Sequence, residues 1–301
     1  MKIVITGSLG NISKPLAKEL VQKGHLITVI SSKSERQKDI EALGAKAAIG
    51  TMQDIDFLSA TFKGADIVYL METWEGIGSL FDQSIDFKAG MRDIGNNYKI
   101  AIENSGVKRI VHLSSVGAHS NEGFGSLSVH HDVENILKQL PFDVSIKFMR
   151  PVGFYTNIFR SIDTIKTQNA IISNHGGNTK EPWVSPLDIA SVITEEIGKP
   201  FSGRSVRYIA SDEVSPNEVA QILGAAIGKP DLKWVVISDE QMLTEMVTAG
   251  INTDVANSTV ETYASQRGGL LFEDFYRNKP IFGKVKFKEF AKEFALAYNN
   301  L

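Results

Sequence analysis

Cysteine is missing from the 301-residue sequence, and that absence excludes disulfides, thiolate zinc sites and a cysteine nucleophile together. No uninterrupted apolar stretch is long enough to span a bilayer, so no membrane association is expected. Neither sign of charge prevails. The 32 Lys and Arg and the 35 Asp and Glu are interspersed, giving a net charge of −3 and no basic face for nucleic acid. The six histidines lack metal-ligand spacing; His130 and His131 are neighbours, and adjacent side chains on a helix diverge instead of chelating, so no metal is expected. Internal repeats, low-complexity tracts and long charge runs are absent too. The first residues read as a strand and not as a signal peptide, and the expected location is cytoplasmic.

What is present is 43% hydrophobic residues, enough for one large core or a core with an appended lobe. Short apolar runs recur at Lys2 to Thr6, Leu26 to Ile30, Ala45 to Ile49, Asp66 to Leu70, Arg109 to Leu113 and Val144 to Phe148. Helical patterns separate them, around Leu16 to Val21, Glu35 to Leu43, Phe57 to Phe62, Asp82 to Ser105 and Ser128 to Leu140. Strands apolar on both faces and alternating with helices predict an α/β fold. The expected form is a doubly wound, Rossmann-like parallel sheet with its ligand crevice at the carboxyl ends of the strands. After Arg150-Pro151 helical patterns dominate, at Asp188 to Ile197, Ser215 to Ile227, Asp239 to Ala249 and Phe287 to Tyr298, with short strands at Val206 to Ala210 and Lys233 to Ile237. The expected division is a dinucleotide-binding domain, 1–150, and a smaller, mostly helical C-terminal substrate lobe, 151–301, with some segments returning to the main sheet.

The first strand breaks into Gly7-Ser8-Leu9-Gly10-Asn11-Ile12-Ser13 before the first helix. Strand, glycine turn and helix N-terminus in that order form a pyrophosphate socket. Gly7 allows the tight turn, Gly10 the close approach of the backbone, and the helix start offers its free N–H groups. A glycine pair alone would suit an ordinary turn; its place between a buried strand and a helix points to a nucleotide. At the tip of the second strand, Ser31-Ser32-Lys33 presents two hydroxyls and an ammonium, with no carboxylate before Glu35. That set suits the 2′-phosphate of NADP(H) better than the free ribose of NAD(H). Serines also populate plain solvated turns.

Several linked stretches resemble the NmrA-like branch of the atypical short-chain dehydrogenase/reductases. Thr6 to Ile12 is similar to the family's glycine turn, and Gly50-Thr51-Met52-Gln53-Asp54 with Leu58 to its segment after the third strand. Gly106 to Ser115 is similar to its fifth-strand stretch, Met149 to Asn157 to its Arg-Pro segment, and Trp183 to Ala190 to a later one. Their order and spacing cover most of the chain. The resemblance implies NAD(P) binding, with Thr6, Gly7, Leu9, Gly10, Asn11, Ile12, Ser31, Ser32, Lys33, Thr51, Met52, Met71 and Ser114 at the cofactor. It implies no single reaction, since the family holds quinone and aryl-alkenyl reductases as well as redox-sensing regulators. Three positions depart from the pattern: Ser13 replaces a small third residue, Ser31 an arginine of NADP-selective members, and Thr51 an aspartate.

The usual proton relay of short-chain reductases, Tyr-x-x-x-Lys, is missing. By the resemblance, Ser126 stands at the tyrosine position and His130 at the lysine position, with Glu134 one turn on. His130 is the candidate catalytic residue: a proton donor, a hydrogen-bond partner for the nicotinamide ribose, or simply a helix-surface histidine. Ser114 and Ser115 end the fifth strand, where a hydroxyl meets the cofactor or the neighbouring backbone. Trp74, Phe154 and Tyr155 are candidate substrate-contacting rings, with Phe124 and Trp183 nearby; such aromatics stack on a flat conjugated acceptor or else pack the lobe. Asp188 reads as the start or cap of a helix. Two functions are compatible with this pattern. One is NADPH-dependent reduction of a quinone-like or other conjugated small molecule. The other is a non-enzymatic NAD(P) sensor acting on a protein partner, so enzyme status stays open.

Overall fold

In the computed structural model, which describes residues 1–300, strands and helices alternate through the first half as the apolar spacing predicts. The order is β1 (Lys2–Ile5), α1 (Ser13–Gln22), β2 (Leu26–Ser31), α2 (Gln37–Ala42), β3 (Lys46–Ile49), α3 (Ile55–Phe62), β4 (Ile67–Leu70), α4 (Phe87–Ser105), β5 (Arg109–Leu113), α5 (Val129–Leu137) and β6 (Ser145–Pro151). The helix expected from Asp82 begins only at Phe87, where the Asp86 side chain accepts from Ala89 N and caps it. Ahead of it, Asn252 donates its side-chain amide to the carbonyls of Asp82 and Ile85, and its own N–H to Leu80 O. That distant residue holds the segment open as a loop.

The second half contributes β7 (Gly153–Phe154), α6 (Ile162–Gln168), β8 (Ala170–Ser173), β9 (Glu181–Val184), α7 (Pro186–Ile197), β10 (Arg204–Ile209), β11 (Asp212–Val214) and α8 (Pro216–Ala226). After these come β12 (Lys233–Val236), α9 (Asp239–Thr248), α10 (Thr253–Arg267), α11 (Glu273–Arg277) and α12 (Phe287–Asn300). Seven parallel strands form the main sheet in the order β10-β6-β5-β4-β1-β2-β3. The chain reverses direction across the sheet between β1 and β4, which places a crevice at their carboxyl ends.

Alternation along the strands divides the core. Ile3, Ile5, Tyr69 and Val111 face Leu16 and Leu20 of α1 and Ile189 and Ile193 of α7. Val4, Val68, Leu70 and Ile110 face Leu58, Phe62, Tyr98, Val133 and Leu137 on the other side. The smaller lobe has its own core of Tyr155, Trp183, Leu223, Phe287, Phe290 and Phe294. It also carries two small sheets, β11-β9-β7 and β12-β8, so four strands (β7, β8, β9 and β11) join those expected from the sequence.

From residue 186 to 209 the chain returns to the main sheet, as α7 against α1 and β10 against β6. Asp188 fixes this excursion and is not the cap of α7. Ser185 caps that helix, while the Asp188 carboxylate accepts from Ser211 Oγ (2.6 Å), Lys284 N (3.1 Å) and Val285 N (2.9 Å). None of the described helices is long and apolar enough to cross a membrane.

Candidate active site

A cavity of about 540 Å³ opens at the switch point between β1 and β4. Its walls are the Gly7 to Ser13 turn, the tip of β2, Thr51 and Met52 after β3, Met71 after β4, Leu113 and Phe154. Gly7 has φ +87°, and a Cβ there would stand 2.2 Å from Met71 Sδ and 2.9 Å from Ser13 Oγ, so only glycine fits. Ser8 is also left-handed, at φ +54°, held by its N–H to Ile30 O and by its hydroxyl to Ser31. The N-cap of α1 is Ile12, which caps with no side chain, and Ser13 turns its hydroxyl back onto Thr6 O (3.0 Å). Within the first turn of α1 only the Ser13 N–H is left over among the described residues, since Lys14 N donates to Gly10 O, residue 15 is proline and Leu16 N donates to Ile12 O. With the unengaged N–H groups of Leu9, Asn11 and Ile12 in the turn, it gives the cavity the donors an anionic diphosphate needs.

Leu9, Gly10, Asn11, Ile12, Thr51, Met52 and Met71 all line the cavity. Thr6 does not. It is fully buried, and its hydroxyl accepts from Met71 N (2.9 Å), tying β1 to β4 behind the wall. Ser31 is only 2% exposed, and its hydroxyl is engaged by Ser8 Oγ and by the backbone of Lys33, so it has little left to offer a 2′-phosphate. Ser32 and Lys33 stand exposed at the same tip, joined by Arg36, which lines the cavity from the turn after β2. Arg36 was within reach of a sequence reading: it lies five residues past Ser31, and only the 3₁₀ turn Ser34–Arg36 brings it round.

At the far end, the buried Ser114 donates its hydroxyl to Glu134 Oε1 (2.7 Å) and is not presented to a cofactor. Glu134 also accepts two bonds from Arg150 (2.8 and 2.7 Å) and one from Lys138 (3.1 Å). Burial alone would raise the Glu134 carboxyl; the Arg150 hydrogen bonds and charge outweigh it and hold the pKa below the usual value. Ser126, at the tyrosine position, is covered by α10: its N–H donates to Thr262 Oγ1 (3.0 Å), and the two hydroxyls share a bond of 3.1 Å. His130 is half-buried, with its Nδ1 enclosed and without a hydrogen-bond partner among the described residues. Burial lowers its pKa, against an opposing pull from Glu72.

The substrate rings separate. Phe154 lines the cavity. Trp74 stacks on Phe87 of α4 (5.3 Å between ring centroids) and stands outside the cavity wall. Tyr155 is buried in the smaller lobe, edge-on to Phe287, and donates to Val285 O (2.9 Å), so its ring packs the lobe and does not line the cavity. Trp183 and Phe124 are buried as well, and His131 packs with its Nδ1 on Ala118 O.

The profile of the NmrA-like family matches residues 1–267. The chain belongs to the NmrA-like family. Among similar sequences, an NAD(P)H azoreductase from Xenophilus azovorans is 22% identical over 300 residues, covering 98% of this chain and 99% of that protein. Among solved structures, the Citrobacter sp. triphenylmethane reductase complexed with NADP(H) aligns with TM-score 0.74 at 20% identity, over 98% of this chain and 100% of that one. An NADPH-dependent quinone oxidoreductase from Escherichia coli, complexed with NADPH, aligns with TM-score 0.78 at 17% identity, over 97% and 99%.

One pair in this NmrA-like chain escaped the sequence reading. Glu72, just after β4, and His112, in β5, are both buried, and the His112 Nε2 lies 3.1 Å from each Glu72 carboxylate oxygen. Strand alternation carried the only signal: His112 falls on the same inward face as Ile110, where an apolar residue is the rule.

Proposed function

We propose that this NmrA-like protein is a reductase that uses a bound nicotinamide cofactor, NADPH in preference to NADH, to reduce a flat conjugated small molecule of the quinone or aromatic-dye type. The observation that carries the reading is the crevice. The unengaged N–H groups of Leu9, Asn11, Ile12 and Ser13 in the turn behind Gly7 suit the diphosphate, and Ser32, Lys33 and Arg36, with no carboxylate among the β2-tip residues of the wall, suit a 2′-phosphate. The azo dye, triphenylmethane and quinone reductases it resembles act, by their names, on conjugated acceptors. When bound, the nicotinamide supplies a hydride.

The chain's own contribution is to bind and orient. The turn backbone holds the diphosphate, Lys33 and Arg36 hold the 2′-phosphate, and Leu113 and Phe154 give the acceptor an apolar wall. Changing Lys33→Glu or Arg36→Glu should weaken NADPH about tenfold more than NADH, the effect of losing roughly 1.4 kcal/mol at one charged contact. Titration calorimetry with both nucleotides checks this, and an equal loss for the two contradicts it. A second reading, a nucleotide-binding sensor without turnover, is favoured by one observation: Ser126 is tied to Thr262, which leaves the tyrosine position without a free proton donor.

A further inference from the structure

Asn252 stands at the corner between α9 and α10 and is only 2% exposed. Its side-chain oxygen caps α10, accepting from Asp254 N (3.0 Å) and Val255 N (3.2 Å). Its amide nitrogen donates away from that helix, to Asp82 O (2.8 Å) and Ile85 O (3.2 Å) ahead of α4. A cap needs only an oxygen, which serine, threonine or aspartate supplies as well. The N–H donors are what asparagine adds, and both go to one segment, residues 73–85. Gln83 ties the same segment to the same corner: its Nε2 donates to Gly250 O (3.3 Å) and its Oε1 accepts from Thr253 N (3.1 Å).

The other end of that segment is cofactor wall, for Thr73, Glu75 and Gly76 line the crevice. Contacts run unbroken from the corner to this wall. The Ile85 side chain occupies the place that a Cβ on Gly78 would take, and Gly78 N donates to Trp74 O (3.3 Å) at the start of the 3₁₀ turn Trp74–Gly76. Gln53 Nε2 donates to Gly76 O (3.0 Å), which joins the turn to the residues after β3. With the diphosphate on the Gly7 turn and its ribose at the tip of β2, the wall left for the adenine is Thr51 and Met52 after β3 with Thr73, Glu75 and Gly76 after β4. Apart from Trp74 on Phe87, the segment has little buried packing, and Glu75, Gly76 and Phe81 stand exposed. Such a segment opens locally at low cost unless it is tied down.

We propose that Asn252 is a positioning residue for the cofactor: from the corner of the smaller lobe it holds residues 73–85 as a closed strap along the adenine half of the nucleotide and slows its release. The inference rests on the nucleotide site proposed above. Without the clasp the strap is closed in a smaller fraction of molecules, and the apparent affinity falls by that fraction. Leu113 and Phe154, on the acceptor side of the crevice, lie outside the strap, so the rate at saturating NADPH should hold.

Asn252→Ser tests this, because serine keeps an oxygen for the cap of α10 and removes both donors to the strap. Calorimetry on the full chain, with NADPH and with adenosine 2′,5′-bisphosphate, should show both affinities falling about tenfold, the worth of one or two hydrogen bonds. Stopped-flow displacement of NADPH should place the loss in the dissociation rate. Equal losses mark the adenine half, whereas damage elsewhere in the crevice weakens NADPH alone. Gln83→Ala, which removes the outer tie, should weaken both ligands about two- to threefold and serves if Asn252→Ser does not fold. Unchanged affinities in a folded variant, or a loss confined to NADPH, overturn the proposal. A native chain that binds neither ligand overturns it together with the nucleotide site. Loss of both affinities, with no acceptor reduced by the native chain, supports the clasp and overturns the reductase reading; unchanged affinities in an active reductase do the reverse.

Discussion

Gly7 and Gly10 share one turn but fail differently when substituted. Gly7→Val places a side chain on a left-handed residue and against Met71, strain of about 1–3 kcal/mol, so both melting temperature and cofactor affinity should fall. A Cβ on Gly10 would stand 3.2 Å from Gly7 O, a tight contact that a shift of a few tenths of an ångström relieves, and Gly10 is not left-handed. Gly10→Val should therefore stay folded, with a smaller fall in melting temperature than Gly7→Val, and lose nucleotide affinity. Calorimetry on both variants separates the two; unchanged affinity in folded Gly10→Val would place the nucleotide elsewhere. His130→Ala should slow turnover by roughly tenfold or less, below the range of a true general acid. The residues that a sequence reading reaches are those whose role follows from local backbone, such as Gly7, Gly10 and Lys33. Ser31, Ser114 and Thr6 were assigned to the cofactor, yet each hydroxyl is engaged by a residue brought in by tertiary packing, a competition that one-dimensional spacing does not show.

At the scale of elements, the parallel sheet was legible because each strand is apolar on both faces and short enough to separate from the helices. The small sheets were not. β9 begins Glu181-Pro182, which reads as a break, and β8 finds its partner β12 some sixty residues on. The start of α4 was misplaced for a similar reason, since Asn252 holds the preceding carbonyls from far along the chain. The excursion through α7 and β10 hangs on Asp188. Replacing it with alanine leaves the N–H groups of Lys284 and Val285 unpaired and should destabilise the protein by about 2–3 kcal/mol, measured by urea unfolding. A loss of only a few tenths would show that the C-terminal segment is held by its aromatic packing instead.

For the whole molecule, the smaller lobe carries a pH dependence of its own. Burial raises the Glu181 carboxyl to about 7, with Gln266 opposing, and lowers His175 to about 4. Glu181 is protonated in the folded chain at a pH where the unfolded chain has ionised, so its contribution to stability falls as pH rises from 4.5 to about 7. His175 works in the opposite direction, removing stability as pH falls from 6.5 to about 4. Glu181→Gln should therefore raise the melting temperature at pH 8, by an amount equivalent to at most about 3 kcal/mol, and change it little at pH 4.5. The central claim is that the crevice at the Gly7 turn delivers reducing equivalents from NADPH to a conjugated acceptor. The measurement that tests it most directly is the loss of NADPH absorbance in the presence of a small panel of quinones, azo dyes and triphenylmethane dyes. The account predicts oxidation with at least one of them, abolished in folded Gly10→Val. Tight NADPH binding with no oxidation by any acceptor would contradict it.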